Sequence, residues 1–91
     1  MSTQALTGRL TLDTASARLG DVVWPAAGEA LTLDLSGVDA GDSAGVSLLL
    51  HWLREAQARR VSLSLAGVPD GLLQLAGLYG VSPWIDSIRK Q

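Results

Sequence analysis

The alternation of apolar and polar residues predicts three β-strands in this chain. Leucines recur at every second position over 31–36, and a valine and two leucines do so over 61–67. A third alternation, over 5–13 with Leu6, Leu10 and Leu12, is interrupted by Gly8. Successive side chains of a strand point to opposite faces of a sheet, so a period of two is typical of half-buried strands. The glycine in the first segment predicts a β-bulge.

A period near 3.6 residues predicts helices between and after these strands. The clearest helix covers 43–60, and a short one covers 15–24 and is stopped by Pro25. Two more follow the last strand, one over 70–80 and one beginning at Pro83, each with a proline at its start. The order strand, helix, strand, helix, strand, helix predicts an α/β layer fold with a mostly parallel sheet.

The long predicted helix carries apolar residues on two faces. At about 100° per residue, one stripe is expected to face the core, and it consists of Val46, Leu49, Leu50, Leu53 and Gln57. Leu48 and Trp52 fall nearly opposite this stripe. They either pack against a neighbouring helix or contact a partner protein, and the pattern is compatible with both.

Composition and charge narrow the class of protein. The chain has 91 residues, 47% of them hydrophobic, which predicts a single domain over 1–91. Its net charge is −2 and its basic residues are scattered, which argues against nucleic-acid binding. It has no cysteine, no signal-peptide pattern and no apolar run near the roughly 20 residues of a membrane span. We therefore expect a cytoplasmic domain that does not insert into the membrane.

The residues that could support catalysis do not form a recognisable site. His51 is the only histidine, and it is separated from Ser43 by about 12 Å of helix at 1.5 Å per residue. One histidine makes no metal cluster of the usual spacing. The glycines over 37–45 lack the Gly-Lys-Ser/Thr ending of a phosphate-binding loop. We expect no enzymatic activity, no metal site and no cofactor.

The junction of strand and helix at 42–45 is unusually rich in small side chains. Ser43 is predicted as the N-cap residue, with Asp42 at the positive end of the helix dipole. Ala44 and Gly45 would leave the first backbone N–H groups of the helix uncovered. These residues form either a plain helix cap or a position at which a partner approaches the backbone.

Residues 31–81 resemble the STAS domains, the fold of anti-sigma-factor antagonists. Asp34-Leu35-Ser36 at the end of a strand and Asp42-Ser43-Ala44-Gly45 at a helix start resemble the motifs of that family. Within the family, the chain is similar to the STAS subunits of Mla-type phospholipid ABC transporters. The similarity lies in the hydroxyl residue followed by Ala-Gly, the Leu-rich helix that leads to His51, and the segment 75–81.

This resemblance implies a single STAS-like layer, with helices on a mostly parallel or mixed sheet of about four strands. It also implies a regulatory subunit, on the cytoplasmic side of the inner membrane, that binds the transporter's MlaF-like ATPase in a complex with a permease. Ser43 would lie at the ATPase contact, with Asp42, Ala44 and Gly45 beside it and apolar area from Leu48. Trp24 and Tyr79 are further candidates for this interface.

The alternative within the same family is an anti-sigma-factor antagonist controlled by a serine kinase. The family's phosphorylated serine corresponds to Ala44 in this chain, which counts against that alternative. The chain also departs from the family by beginning close to what resembles the second strand, so the usual first strand is missing or shortened.

Overall fold

The computed structural model describes residues 2–11 and 13–89, and these form three strands and four helices. The elements are β1 (Ser2–Leu10), α1 (Ala15–Arg18), β2 (Ala30–Gly41), α2 (Ser43–Arg59), β3 (Ser62–Ala66), α3 (Asp70–Leu78) and α4 (Ser82–Ile88). Leu12, which we counted in the first predicted strand, and residues 90–91 of the last predicted helix lie outside the described residues.

The sheet has the order β1-β2-β3, and both neighbouring pairs are parallel. Parallel neighbours need a crossover connection, which α1 and α2 provide. The predicted α/β fold with a mostly parallel sheet is therefore confirmed, with three strands in the described part of the chain. Arg89, the residue after α4, forms a single parallel β-bridge with Leu65 of β3.

The pairing of β1 with β2 extends further than the sequence pattern indicated. The segment 37–42 has the composition of a turn, yet β2 continues through Gly41 because Thr7 to Leu10 of β1 pair with it. The register shifts between Ala5 and Thr7 and again between Gly8 and Arg9, and Gly8 has a φ of +80°. The predicted bulge at Gly8 is thus confirmed.

The first predicted helix is much shorter in the structure. Only Ala15–Arg18 are helical, and residues 21–26 form an irregular segment. The side chain of Gln4 holds this segment in place, since its Oε1 accepts the Val23 N–H at 3.0 Å and its Nε2 donates to the Val23 carbonyl. Trp24 therefore lies in a coil fastened to β1, and not at the end of a helix.

The core lies between the sheet and the helices, and α2 supplies its largest side chain. The buried face of α2 consists of Gly45, Val46, Leu48, Leu49, Trp52 and Ala56. Leu48 and Trp52, which we placed opposite the core stripe, are only 2% and 0% exposed. Gln57 is exposed, and Leu50 and Leu53 are half-buried.

The buried face of α2 is therefore rotated from the predicted stripe by about 80° at 100° per residue. The reason is that Gly45 and Ala56 add little to a hydrophobic pattern but let the helix approach its neighbours closely. None of the helices in the described part of the chain has both the length and the apolar content needed to span a lipid bilayer.

Candidate functional site

The start of α2 is capped by Asp42, one residue before the predicted cap. Oδ1 of Asp42 accepts the Ala44 N–H at 2.9 Å, and the backbone carbonyl of Asp42 accepts the Gly45 N–H at 2.9 Å. Ser43 is the first residue of the helix, and its side chain is exposed. The hydroxyl of Ser43 has no hydrogen-bond partner among the described residues. Because the carboxylate of Asp42 does the capping, this hydroxyl is left available to another molecule.

Two of the residues predicted to contact a partner lie in the interior. Gly45 is buried, and a Cβ atom there would lie 2.6 Å from the Leu10 carbonyl oxygen and 3.0 Å from a methyl carbon of Leu72. Leu48 belongs to the same buried face. The small side chain at position 45 therefore serves the packing of α2 on β1 and α3, and neither residue provides surface to a partner.

Ser43 and Tyr79 lie on the same open groove, although 36 positions separate them in the chain. The groove has a volume of about 360 Å³ and is lined by Ser43, Val46, Ser47, Leu50, Tyr79 and Val81. Tyr79 is 56% exposed at the end of α3. The turn after it is made by Gly80, whose φ of +72° carries the chain back towards α2. The fold thus places an exposed hydroxyl beside apolar and aromatic surface.

A second groove continues from the first along the same side of α2. It has a volume of about 210 Å³ and is lined by Leu50, Leu53, Arg54, Gln57, Val81 and Trp84. Leu50 and Val81 line both grooves, so the two adjoin, and we call them together the α2 groove. Trp84 is 57% exposed at its far end.

Trp84 is not among the surface residues that we named from the sequence. In the structure Ile85, the next residue of the short helix α4, is the buried one. Neighbouring side chains of a helix point about 100° apart, and in α4 only Ile85 is buried, which leaves Trp84 at the surface.

Trp24 lies outside the α2 groove. Its ring stacks under the guanidinium of Arg59, with Cζ 5.6 Å from the ring centroid, near the other end of α2. Arg59 is also fixed by Glu55, whose Oε1 accepts from its Nε at 3.0 Å. This contact fastens the coil over 21–26 to α2, and it does not bring Trp24 towards Ser43.

The Asp34-Leu35-Ser36 motif has a structural role in the sheet. Asp34 Oδ1 accepts the backbone N–H of Ser36 at 3.0 Å. This hydrogen bond, with a further one from the Ser36 hydroxyl, lowers the pKa of Asp34 below its ordinary value. Gly67 packs directly on Ser36, since a Cβ at Gly67 would lie 2.8 Å from the Ser36 Cβ. The motif thus shapes β2 just beyond its pairing with β3.

The side chains needed for metal or acid–base chemistry are not assembled in the described structure. His51 is exposed on α2. No group of three or more His, Asp or Glu side chains that could hold a metal ion occurs among residues 2–11 and 13–89. The arrangement at the start of α2 offers hydrogen bonding and apolar contact, which are the means of binding a protein.

The fold and sequence match known proteins. Two solved structures each cover 97% of this chain. One is a sulfate transporter family protein from Wolinella succinogenes, with a TM-score of 0.71 and 21% identity over 74% of that protein. The other is the STAS domain of a SulP transporter from Vibrio cholerae, with a TM-score of 0.66 and 18% identity over 70% of that protein. At these identities the likeness shows the fold alone.

A curated relative matches in sequence. It is the intermembrane phospholipid transport system binding protein MlaB of Haemophilus influenzae, 42% identical over 52 residues. The match covers 57% of this chain and 50% of that protein, so the chain matches about half of the relative's length. The family model described as Mlab, STAS domain, matches residues 2–86. The chain therefore belongs to the MlaB-type STAS domain family.

Proposed function

We propose that this chain is a non-catalytic subunit of an intermembrane phospholipid transport system. In this proposal, residues 1–91 act as one STAS domain that binds an MlaF-like ATPase subunit of an ABC transporter. It would lie on the cytoplasmic side of the inner membrane, within the complex that the ATPase forms with its permease. There it would support the transport that maintains the lipid asymmetry of the outer membrane.

The observation that carries this proposal is the position of Ser43. Its hydroxyl is exposed at the start of α2 and beside the apolar lining of the α2 groove, with Tyr79 on the same groove. A directional hydrogen bond surrounded by apolar area is typical of a protein interface, and tyrosine is enriched at positions that dominate binding energy. Membership of the MlaB-type family supports the choice of partner.

The test is the affinity for the purified ATPase subunit of the same transport system, measured by calorimetry. Ser43→Leu places a bulky apolar side chain where the hydroxyl lies, and we expect it to weaken binding at least tenfold, about 1.4 kcal/mol. Ser62→Leu is the matched control, since Ser62 is also exposed but lies on β3. Both variants should unfold at the temperature of the parent protein. Unchanged affinity of Ser43→Leu would show that the proposed site is wrong.

The exposure of Ser43 also supports a second candidate, an anti-sigma-factor antagonist regulated by phosphorylation. A kinase could reach this hydroxyl, although Ala44 occupies the position at which the family usually carries its phosphorylated serine. Incubation with the candidate serine kinase and ATP, followed by intact-mass measurement, separates the two functions. Addition of one phosphate, lost in Ser43→Ala, would favour the second.

A further inference from the structure

The α2 groove continues beyond Ser43, and its shape and charge favour one kind of occupant. We propose that the partner ATPase lays an amphipathic helix along α2 in this groove, with an acidic residue opposite Arg54. This inference rests on the proposed function, because it names the part of the partner that occupies the same site.

The spacing of the lining residues on α2 favours a helix. Val46, Leu50, Leu53 and Gln57 all line the groove, and they follow one another at intervals of four, three and four residues. Such a row is the seam against which a second helix packs its own ridges. A strand would bind by backbone pairing, which α2 does not offer because its backbone groups bond within the helix.

α2 forms one wall of the groove, and the wall opposite it is short and apolar. It is formed by the segment that joins α3 to α4 and by the first turn of α4, which contribute Tyr79, Val81 and Trp84. Leu50 and Leu53 form the floor and are half-buried, so part of their surface stays open to solvent. A partner helix that covered this floor would remove apolar surface from water while its polar side faced outward.

The length of the groove fits a helix of ordinary size. From Ser43 to Gln57 the axis of α2 rises about 21 Å, at 1.5 Å per residue. A partner helix of about 14 residues, or four turns, would lie along this whole length. Its two ends would then meet the two exposed aromatic side chains, Tyr79 near Ser43 and Trp84 near Arg54.

The charge of the groove favours an acidic residue on the partner. Arg54 is exposed and lines the groove, and it has no ion pair with any of the described residues. Other arginines of the chain do have carboxylate partners, such as Arg59 with Glu55 and Arg18 with Asp21. An aspartate or glutamate on the partner helix would give Arg54 a charge-assisted hydrogen bond at the rim of the apolar floor.

The experiment measures the affinity of the same purified ATPase for two variants, Arg54→Glu and Trp84→Ala. We expect each to weaken binding about tenfold or more while the variant stays folded, as its urea unfolding curve reports. The matched controls are Arg60→Glu and Val23→Ala, because Arg60 and Val23 are exposed outside the groove. Both controls should bind as the parent protein does.

A charge-reversal screen then tests the predicted pair. Each acidic residue on an exposed helix of the ATPase is changed to lysine, and one such change should restore at least half of the binding that Arg54→Glu loses. If no reversal restores binding, the proposal that an acidic residue of the ATPase pairs with Arg54 is wrong.

The outcomes separate this inference from the proposed function. If Ser43→Leu loses binding while Arg54→Glu and Trp84→Ala bind normally, the proposed function stands and the helix in the groove is wrong. If all three variants bind as the parent protein does, the site at Ser43 and the helix in the groove are both wrong. If the parent protein itself does not bind the ATPase, the proposed function is wrong. If the free chain dimerises and Trp84→Ala makes it monomeric, the groove belongs to a second copy, which also overturns the inference.

Discussion

The carbonyl oxygen of Leu10 would lie only 2.6 Å from a Cβ atom built on Gly45, so β1 and the first turn of α2 touch through their backbones. The same carbonyl accepts the Asp42 N–H at 3.3 Å. The end of β1 therefore fixes the position at which α2 begins. Gly45 faces inward at this contact, and Ser43, two residues earlier, faces solvent.

We predict that Gly45→Ala destabilises the protein by about 1–3 kcal/mol, because the new methyl group meets a backbone oxygen that has little room to move. Gly71→Ala is the matched control, since Gly71 lies in α3 and a methyl group there would point into open space. Alanine favours helices over glycine by about 1 kcal/mol, so this control should be neutral or stabilising. Urea unfolding of both variants measures the difference. A stabilising Gly45→Ala would contradict the close contact.

Trp52 and Trp84 should differ sharply when each is truncated. Trp52 is fully buried and its Nε1 donates to the Leu19 carbonyl at 3.4 Å, whereas Trp84 is 57% exposed. Trp52→Ala should lower the free energy of unfolding by about 3–5 kcal/mol, which is enough to unfold many domains of this size. Trp84→Ala should cost less than about 1 kcal/mol. If urea unfolding showed equal losses of free energy for the two variants, Trp52 would not be buried and the orientation of α2 would be wrong.

The orientation of α2 is also where sequence reasoning failed most clearly. The bounds of α2 could be predicted to within one residue, because its pattern is long and the alternation of the next strand begins directly after it, at Val61. Its buried face could not, because both sides of the helix carry leucines. The choice between them depends on the fit of Gly45 to Leu10, a contact between segments distant in the chain.

The position of Ser43 at a helix start could be predicted from the sequence, but the approach of Tyr79 and Trp84 to the same helix could not. The motif at 42–45 indicates a helix start with an exposed hydroxyl, and the structure has one at Ser43. The approach of Tyr79 and Trp84 to α2 depends on how α3 and α4 pack, which no local pattern encodes. For the same reason β2 continues through a segment of turn-like composition, since its partner strand lies far away in sequence.

The capping of α2 by Asp42 gives a third prediction. Asp42→Ala should lower the free energy of unfolding by about 0.5–2 kcal/mol, because it removes the acceptor of the Ala44 N–H. Ser43→Ala should change it by less than about 0.5 kcal/mol, since the Ser43 hydroxyl does not cap the helix. Asp39→Ala, at an exposed position of β2, is the charge-matched control. Thermal and urea unfolding both measure the stability of these variants. A larger loss of unfolding free energy for Ser43→Ala than for Asp42→Ala would show that Ser43, and not Asp42, caps the helix.

Stability at acid pH should depend on Asp34. Hydrogen bonds from Ser36 hold the pKa of Asp34 in the folded protein below that of the unfolded chain. A depressed pKa contributes stability that is present above the unfolded pKa, near 4, and is lost as the pH falls through the folded pKa. The free energy of unfolding should therefore fall below about pH 4.

This loss should be shallower in Asp34→Asn, which has no carboxylate to protonate. Urea unfolding at a series of pH values from about 5 to about 2 compares the two proteins. Identical slopes for Asp34→Asn and the parent protein would show that the Ser36 hydrogen bonds have no such effect.

The irregularity at Gly8 has a consequence for behaviour in concentrated solution. β1 is an outer strand of the described sheet, and a long, flat outer strand is a template on which other chains add strands and aggregate. The left-handed φ of Gly8 and the two register shifts bend β1, and the charged Arg9 follows directly. A bent strand that carries a charge makes a poor template, so we expect the bulge at Gly8 to lower the tendency of this protein towards edge-to-edge aggregation.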